Sequence, residues 1–367
     1  MPKLTFFPLG NADCCLVDLD GGEKLLFDYA DVRDPTNASD LRIDLPQALR
    51  DQLRAAGRYF FDVVAFTHAD DDHVCGMSAF FHLEHAATYQ GADRVKIREL
   101  WVPAAVIVEE GLENDARVLQ AEAQHRLRKG AGIRIFSRPE ALKTWCDDHG
   151  VPWQERHDLF TDAGTLVDGF TKAAQGVEFF VHSPFAERVD GELIDRNRCS
   201  LVMQATFAVG GCETRVILSA DTTWKDFVPM VKVTRWHEND DRLEWDVFKL
   251  PHHCSYLSLG PEKGSDATAP VEEVRWLFEV QGTDGGIVVS TSDPIPTVDS
   301  DQPPHRQAAA YYRRRVAGDG FVVTMEHPRP SRPEPLVILI GRSGARVEKR
   351  NPASGFALAS QAAHRAG

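Results

Sequence analysis

The sequence predicts an α/β protein in which two mixed β-sheets pack face to face with helices outside, an αββα arrangement. Predicted strands and helices alternate in both halves of the chain, and several strands carry polar residues at their carboxyl ends. The 367 residues are 43% hydrophobic, which is enough for a large buried core. We expect one domain over residues 1–345, followed by a frayed tail over residues 346–367.

Charge and composition narrow the classes of function. The 55 Asp and Glu residues outnumber the 41 Lys and Arg residues, and the formal net charge is -14. This balance argues against a general affinity for nucleic acid or for anionic membranes, because both are bound through accumulated Lys and Arg. A polyanionic substrate would need a local basic patch or bound metal ions. The chain starts without an apolar segment and has no run of 18 apolar residues, so we expect a cytoplasmic protein without a membrane span.

The first 67 residues predict a β-meander, a helix and a buried strand. Three short apolar runs within residues 4–28 are separated by turns rich in Gly and Asp, and the last run ends at Asp28. Residues 41–57 carry apolar side chains at helical spacing and end at a Gly. Residues 62–67 are an apolar, β-branched run that is typical of a buried strand.

The clearest chemistry follows that strand, in the loop His-Ala-Asp-Asp-Asp-His at residues 68–73. Its two imidazoles and three carboxylates are too many ionisable groups to bury unless a cation neutralises them. A helical pattern begins after Gly76, so the loop is a strand-to-helix turn on which side chains can converge. We therefore predict a metal-binding loop. The alternative is a solvated acidic turn with two unrelated histidines.

The middle of the chain predicts further elements but few ligands. Residues 99–108 and 133–136 are typical of strands, and residues 109–129 and 139–148 are typical of helices. From its position alone, we expect the segment 109–160 to form an inserted helical cap over the active-site edge.

Two later strands end in side chains that commonly bind metals. The buried run at residues 214–221 ends in Asp221, and the run at residues 246–250 leads to His252 and His253. Either feature alone would be weak, but both strengthen the prediction when they accompany the metal loop. Only one of two adjacent histidines normally points at a given metal, and we expect that ligand to be His252, with His253 facing the substrate.

Other polar residues at strand ends and turns are candidates for contact with substrate. These candidates are His182, Asn197, Ser200, Ser255 and His305. His182 could alternatively be a metal ligand, although a histidine at the end of an apolar strand is more often a structural residue, and His305 is equally compatible with a plain surface position. Strands at residues 286–291, 320–325 and 336–340, and a helix at residues 307–316, complete the predicted elements.

The spacing His-x-Asp-x-Asp-His-x-x-Gly at residues 68–76 resembles the metal loop of the metallo-β-lactamase superfamily, whose common form is His-x-His-x-Asp-His. With Asp at its third position, the loop is similar to that of the hydrolase domain of the competence protein ComEC and its soluble relatives. The run Asp-Val-Phe-Lys-Leu-Pro-His-His-Cys-Ser at residues 246–255 is similar to the Asp-Val-Leu-Lys-x-x-His-His-Gly-Ser run of the same hydrolases. The chain departs from this pattern at Cys254, which replaces a Gly, and in having no clear His in the third motif.

The resemblance implies a metal-dependent hydrolase that binds two divalent cations, Zn²⁺ or Mn²⁺. It implies six metal ligands, namely His68, Asp70, Asp72, His73, Asp221 and His252. Asp221 would bridge both cations, Asp72 and His253 would act in catalysis, and Asp28 would support the ligands from behind.

The substrate class that this resemblance favours is a phosphodiester, in nucleic acid or in a nucleotide. One alternative is a lactonase or thioesterase of the same fold, which the acidic net charge favours. Another is a binding protein that has lost turnover and acts beside partner proteins encoded by neighbouring genes. A serine hydrolase is not expected, because the sequence contains no Gly-x-Ser-x-Gly elbow.

Overall fold

The computed structural model describes residues 1–186 and 199–349, and in this part of the chain the strands form two sheets. The strands of sheet A are β1 (Lys3–Phe6), β2 (Cys15–Asp18), β3 (Lys24–Phe27), β4 (Phe60–Ala65), β5 (Phe81–His82), β6 (Val95–Pro103), β7 (Ile133–Phe136), β8 (Phe160–Thr161), β15 (Leu336–Gly341) and β16 (Gly344–Val347). The strands of sheet B are β9 (Val177–Ser183), β10 (Val202–Val209), β11 (Cys212–Leu218), β12 (Trp245–Lys249), β13 (Gly282–Ser290) and β14 (Phe321–Val323).

Both sheets are mixed. Sheet A has the strand order β16-β15-β1-β2-β3-β4-β6-β7-β8, with β5 paired to β6, and it changes from antiparallel to parallel pairing at β3. Sheet B has the order β14-β13-β12-β11-β10-β9 and changes from parallel to antiparallel pairing at β11. The parallel part of each sheet brings the carboxyl ends of neighbouring strands to one edge.

The helices cover the outer faces of the two sheets. They are α1 (Leu45–Ala55), α2 (Asp71–Val74), α3 (Met77–Phe80), α4 (Ala104–Val108), α5 (Asn114–Lys129), α6 (Glu140–Asp148), α7 (Trp224–Trp236), α8 (Glu272–Glu279) and α9 (Arg306–Arg313). No helix among the described residues is long and apolar enough to cross a membrane.

Three apolar clusters define the layers. Because side chains alternate between the faces of a strand, Val64 of β4 packs under α1 and α5, whereas Val63 packs between the sheets. Val247 of β12 belongs to the same central cluster as Val63, and Phe248 packs under α7 and α8. The four layers are therefore helix, sheet, sheet and helix, and the predicted αββα fold class is confirmed.

Several predicted boundaries differ from the structure. Residues 99–108 are the end of β6 followed by α4, because the apolar run Ala104–Val108 suits a buried helix as well as a strand. The segment 109–160, predicted as a helical cap, contributes β7 and β8 to sheet A. Sheet A extends through Val347, two residues beyond the predicted end of the domain at 345. Asn197 lies outside the described residues.

Candidate metal centre

The candidate centre lies where strand ends from the two sheets face each other. His68 and α2 follow β4 in sheet A, whereas Asp221 follows β11 and His253 follows β12 in sheet B. Four buried residues from this region, Asp13, His73, Asp221 and His253, each offer one donor atom, and these atoms all lie within 4.8 Å of one another. A second group shares His73 and adds His68 and Asp72. Each sheet thus supplies part of one buried donor set.

His73 is oriented by a carboxylate behind it. Its Nδ1 lies 2.9 Å from Asp28 Oδ2, and its Nε2 lies 3.2 Å from Asp221 Oδ1. Asp28 is itself fixed, because it accepts hydrogen bonds from the main-chain N–H of Thr67 at 2.7 Å and from the Thr67 hydroxyl at 2.8 Å. With Nδ1 engaged by Asp28, the Nε2 lone pair of His73 can face the donor cluster.

His253 is oriented in the same way from the other sheet. Its Nδ1 donates a hydrogen bond to the main-chain oxygen of Thr291 at 2.8 Å, and its Nε2 lies 2.8 Å from Asp72 Oδ2 and 3.8 Å from Asp221 Oδ2. His252 instead borders an open pocket, and its Nδ1 makes no hydrogen bond among the described residues. This placement favours the assignment opposite to the predicted one, with His253 among the donors and His252 on the substrate side.

The backbone explains why the two rings diverge. His252, His253 and Cys254 have successive φ angles of 48°, 51° and 66°, all in the left-handed region. This tight turn sets the two imidazole planes at 87° to each other, with ring centroids 6.3 Å apart. Cys254 therefore adopts a conformation that is natural for Gly, which explains why Gly occupies this position in the motif that the sequence resembles.

The electrostatics of the centre suit a bound cation. Burial opposes a charged imidazole, yet Asp28 and Asp221 raise the pKa of His73 well above its usual range. Burial likewise opposes protonation of His253, but Asp221 and Asp72 raise its pKa. Burial opposes ionisation of Asp221, yet His253 and His73 lower its pKa well below its usual value. Buried imidazoles thus hold protons among carboxylates, and a divalent cation can replace those protons.

The remaining loop residues also fit a cation. His68 is 2% exposed, and its Nε2 makes no hydrogen bond among the described residues. Asp70 Oδ2 lies 3.4 Å from that nitrogen. A buried imidazole nitrogen without a hydrogen-bond partner, beside a carboxylate oxygen, is the arrangement expected of ligands around a divalent ion.

The open pocket beside the centre has an acidic wall. It is bordered by the metal loop from Ala69 to Asp72, by Asp221 and His252, and by residues at the start of α5 that include Glu113. Part of the predicted cap segment therefore borders the pocket, although the short strands β7 and β8 of that segment belong to sheet A.

Two residues of the centre were not predicted as site residues. Asp13 lies in the turn before β2, and its carboxylate forms an ion pair with the ammonium group of Lys249, the last residue of β12. Both are buried, at 2% and 5% exposure. Their signals in the sequence were a Gly-x-x-Asp turn and a Lys in an otherwise apolar strand, and neither signal by itself indicates a metal site.

The predicted substrate residues that the structure describes are His182, Ser200, Ser255 and His305, and none of these four borders the pocket. His182 is buried against Phe180, and its Nε2 donates to the main-chain oxygen of Arg242 at 2.8 Å. Ser255 accepts a hydrogen bond from the Leu257 N–H at 3.3 Å, and His305 Nδ1 accepts one from the Tyr256 N–H at 3.3 Å.

Ser200 lies nearer to the centre. It is buried, and the next residue, Leu201, donates its N–H to the main-chain oxygen of Thr67 at 2.9 Å. Ser200 is therefore adjacent to the strand end that carries His68.

Comparison with known proteins finds similar solved structures but no match to the sequence. No family model and no curated protein matches this sequence. Among solved structures, unliganded yeast PDE1 aligns at 10% identity over 88% of this chain and 98% of its own, with a TM-score of 0.43. Zinc-bound PqqB of Methylobacterium extorquens aligns at 12% identity over 88% and 97%, with a TM-score of 0.32. The metallo-β-lactamase GOB-18 of Elizabethkingia meningoseptica aligns at 12% identity over 66% and 74%, with a TM-score of 0.31.

Proposed function

We propose that this protein is a metal-dependent hydrolase whose leading substrate class is a small phosphodiester. The observation that supports this proposal is the convergence of His73, Asp221 and His253 from two sheets, with the carboxylate of Asp28 and the main-chain oxygen of Thr291 fixing the two imidazoles from behind. A buried site of this composition is costly to maintain without a cation.

The residues that would hold two divalent cations are His68, Asp70, Asp72, His73, Asp221 and His253. This set replaces the expected His252 with His253, because His253 belongs to the buried donor group. Asp13, the remaining member of that group, is assigned instead to its ion pair with Lys249. Bound Zn²⁺ or Mn²⁺ would activate water at neutral pH and stabilise negative charge on the oxygens of the substrate.

Side chains of the protein would orient the substrate and the metal ligands and would transfer protons. Asp72 is partly exposed at the pocket and hydrogen-bonds His253, so it can accept a proton at a carboxylate oxygen. Burial lowers the pKa of His252, which keeps its imidazole neutral and suits it to hydrogen-bonding a substrate oxygen. Asp28 holds the proton on Nδ1 of His73 and keeps that ring in one orientation.

The acidic pocket favours a small substrate over a nucleic-acid strand. Asp70, Asp71 and Glu113 border the pocket together with His252. These carboxylates would repel a long polyanion along its length, whereas a single phosphodiester contacts the metal centre alone. The same acidic wall favours a second candidate, a lactonase or thioesterase, because those substrates carry no phosphate charge to repel.

A substrate panel tests the proposal. The purified protein, loaded in turn with Zn²⁺ and Mn²⁺, is assayed on bis-p-nitrophenyl phosphate, single-stranded DNA, lactones and thioesters. We expect metal-dependent release of nitrophenolate that a chelator abolishes, with much slower cleavage of DNA. Turnover of lactones or thioesters alone would replace the phosphodiester proposal with the second candidate. Failure to turn over any substrate class while metal is bound would overturn the hydrolase proposal in favour of a binding protein.

A further inference from the structure

The ion pair between Lys249 and Asp13 crosses from one sheet to the other beside the metal centre. Lys249 ends β12, where it pairs in register with Leu218 of β11 and Val289 of β13. Val247, two residues earlier, faces the space between the sheets, and strand alternation places the Lys249 side chain on the same face. Its ammonium group thus reaches across the sandwich to Asp13, in the turn between β1 and β2.

The partners of this ion pair are tied directly to the donor residues. The main-chain N–H of Asp13 donates to the main-chain oxygen of Asp72 at 2.9 Å. Asp72 in turn contacts His253, which follows Lys249 closely in the chain. Lys249, Asp13, Asp72 and His253 are thus connected in a closed ring that includes both sheets. Two contacts in this ring cross between the sheets, the Lys249–Asp13 ion pair and the Asp72–His253 hydrogen bond.

A second connection leads from Lys249 to Asp221. The Ser219 hydroxyl donates to the main-chain oxygen of Lys249 and lies two residues before Asp221. The backbone of Lys249 therefore helps to set the strand end that carries Asp221, while its side chain holds the turn that contacts Asp72.

We propose that Lys249 and Asp13 are positioning residues that clamp the two sheets and hold the donors of sheet A and sheet B at metal-binding distance. This inference rests on the proposed metal centre. It predicts that metal affinity changes in the direction opposite to the one that charge alone would cause. Removing a positive charge from beside the centre would by itself tighten the binding of a divalent cation, whereas removing a clamp loosens it.

The test measures Zn²⁺ affinity of metal-stripped protein by competition with a chromophoric chelator. The variants are Lys249→Met, Asp13→Asn and the two combined. The matched control is Lys24→Met, which breaks another buried Lys–Asp pair, with Asp18, inside sheet A and away from the donor set. Unfolding in urea reports the stability of every variant without metal.

We expect Lys249→Met and Asp13→Asn each to weaken Zn²⁺ binding by roughly 10- to 100-fold, the range typical of residues that orient ligands. The double variant should lose less than the product of the two single losses, because the pair acts as a unit. Lys24→Met should lower stability and leave affinity within about 2-fold of the wild type, given additivity of distant sites.

The outcomes separate this inference from the proposed function. Unchanged or tighter Zn²⁺ binding in Lys249→Met overturns the clamp while the metal centre stands. Absence of Zn²⁺ binding by the wild type overturns both. If Lys249→Met does not fold, Asp13→Asn decides the question, because the neutral amide breaks the ion pair with Lys249 while keeping the size of the side chain; affinity equal to the wild type would then overturn the clamp.

Discussion

At the scale of single residues, the hydrogen bonds of each histidine decide which of its ring nitrogens faces the metal centre. In His73 and His253 the Nδ1 atoms are engaged by Asp28 and by the Thr291 main chain, so both Nε2 atoms point inward. In the part of the chain that the structure describes, Nδ1 of His252 has no such partner, and this residue borders the pocket. Adjacent histidines therefore have different predicted roles, even though the sequence alone does not distinguish them.

Alanine substitution should separate the two histidines. We expect His253→Ala to lower the metal-to-protein ratio, because it removes a donor from the buried group. His252→Ala should retain the metal and lower kcat, because it removes a hydrogen-bonding group from the pocket. Elemental analysis and steady-state kinetics on the same preparations give both quantities. Retained metal in His253→Ala with lost metal in His252→Ala would restore the original assignment.

His182 gives a prediction about pH and stability. Burial lowers the pKa of His182 to about 4, whereas an exposed histidine titrates near 6.5. The unfolded chain therefore binds more protons, and the stability that His182 contributes above pH 6.5 is lost as the pH falls from 6.5 towards 4. We expect His182→Gln, which can still donate to the Arg242 main-chain oxygen, to lose about 2 kcal/mol less unfolding free energy than the wild type between pH 7 and pH 4.5.

Urea unfolding at the two pH values measures this difference. Other titrating groups are shared by the wild type and His182→Gln, so their effects cancel in the comparison. Equal losses in the two proteins would show that His182 is not the buried neutral imidazole described here.

At the scale of elements, the turn after β12 is the most unusual feature of the centre. Three consecutive residues other than Gly are left-handed there, and a left-handed residue with a side chain costs about 1–2 kcal/mol. The turn is held at both ends, since the Ser255 N–H donates to the His252 oxygen at 2.9 Å and the His305 N–H donates to the Cys254 oxygen at 3.1 Å. These contacts keep His252 and His253 in divergent orientations.

Substitution of Cys254 tests this backbone strain. Gly and Ala both remove the buried thiol, but only Gly relieves the conformation at a φ of 66°. We expect Cys254→Gly to be about 0.5–1 kcal/mol more stable than Cys254→Ala, after allowing for the larger entropy that Gly loses on folding. Denaturant unfolding of the two variants measures the difference. The ordinary order, with Ala more stable than Gly, would mean that the turn is not left-handed at Cys254.

Elements were predictable from the sequence where a local pattern was strong. The metal loop after β4 and the strands that end near Asp221 and His253 follow from apolar runs that stop abruptly at polar residues. The helix Trp224–Trp236 was not predicted, because Pro229 and β-branched residues weaken its helical pattern. Asp13 and Lys249 are 236 residues apart, and no local pattern connects a turn with a strand over that separation.

At the scale of the whole molecule, both sheets of the αββα sandwich contribute residues to the candidate metal centre. Sheet A supplies His68, Asp72 and His73, and sheet B supplies Asp221 and His253. The group of Asp13, His73, Asp221 and His253 draws its donors from both sheets, whereas His68, Asp72 and His73 all follow β4. The central claim is therefore that two distant parts of the chain together form one divalent-metal site.

The most direct test of this claim is the metal content of Asp221→Ala beside Asp71→Ala. Both substitutions remove one carboxylate, but Asp221 is buried in the donor group and Asp71 is exposed at the pocket. After gel filtration of folded protein, elemental analysis should show that Asp221→Ala has lost most of its divalent metal, while Asp71→Ala matches the wild type. Equal metal content in the wild type and Asp221→Ala would contradict the claim, because sheet B would then contribute nothing to metal binding through its strand-end carboxylate.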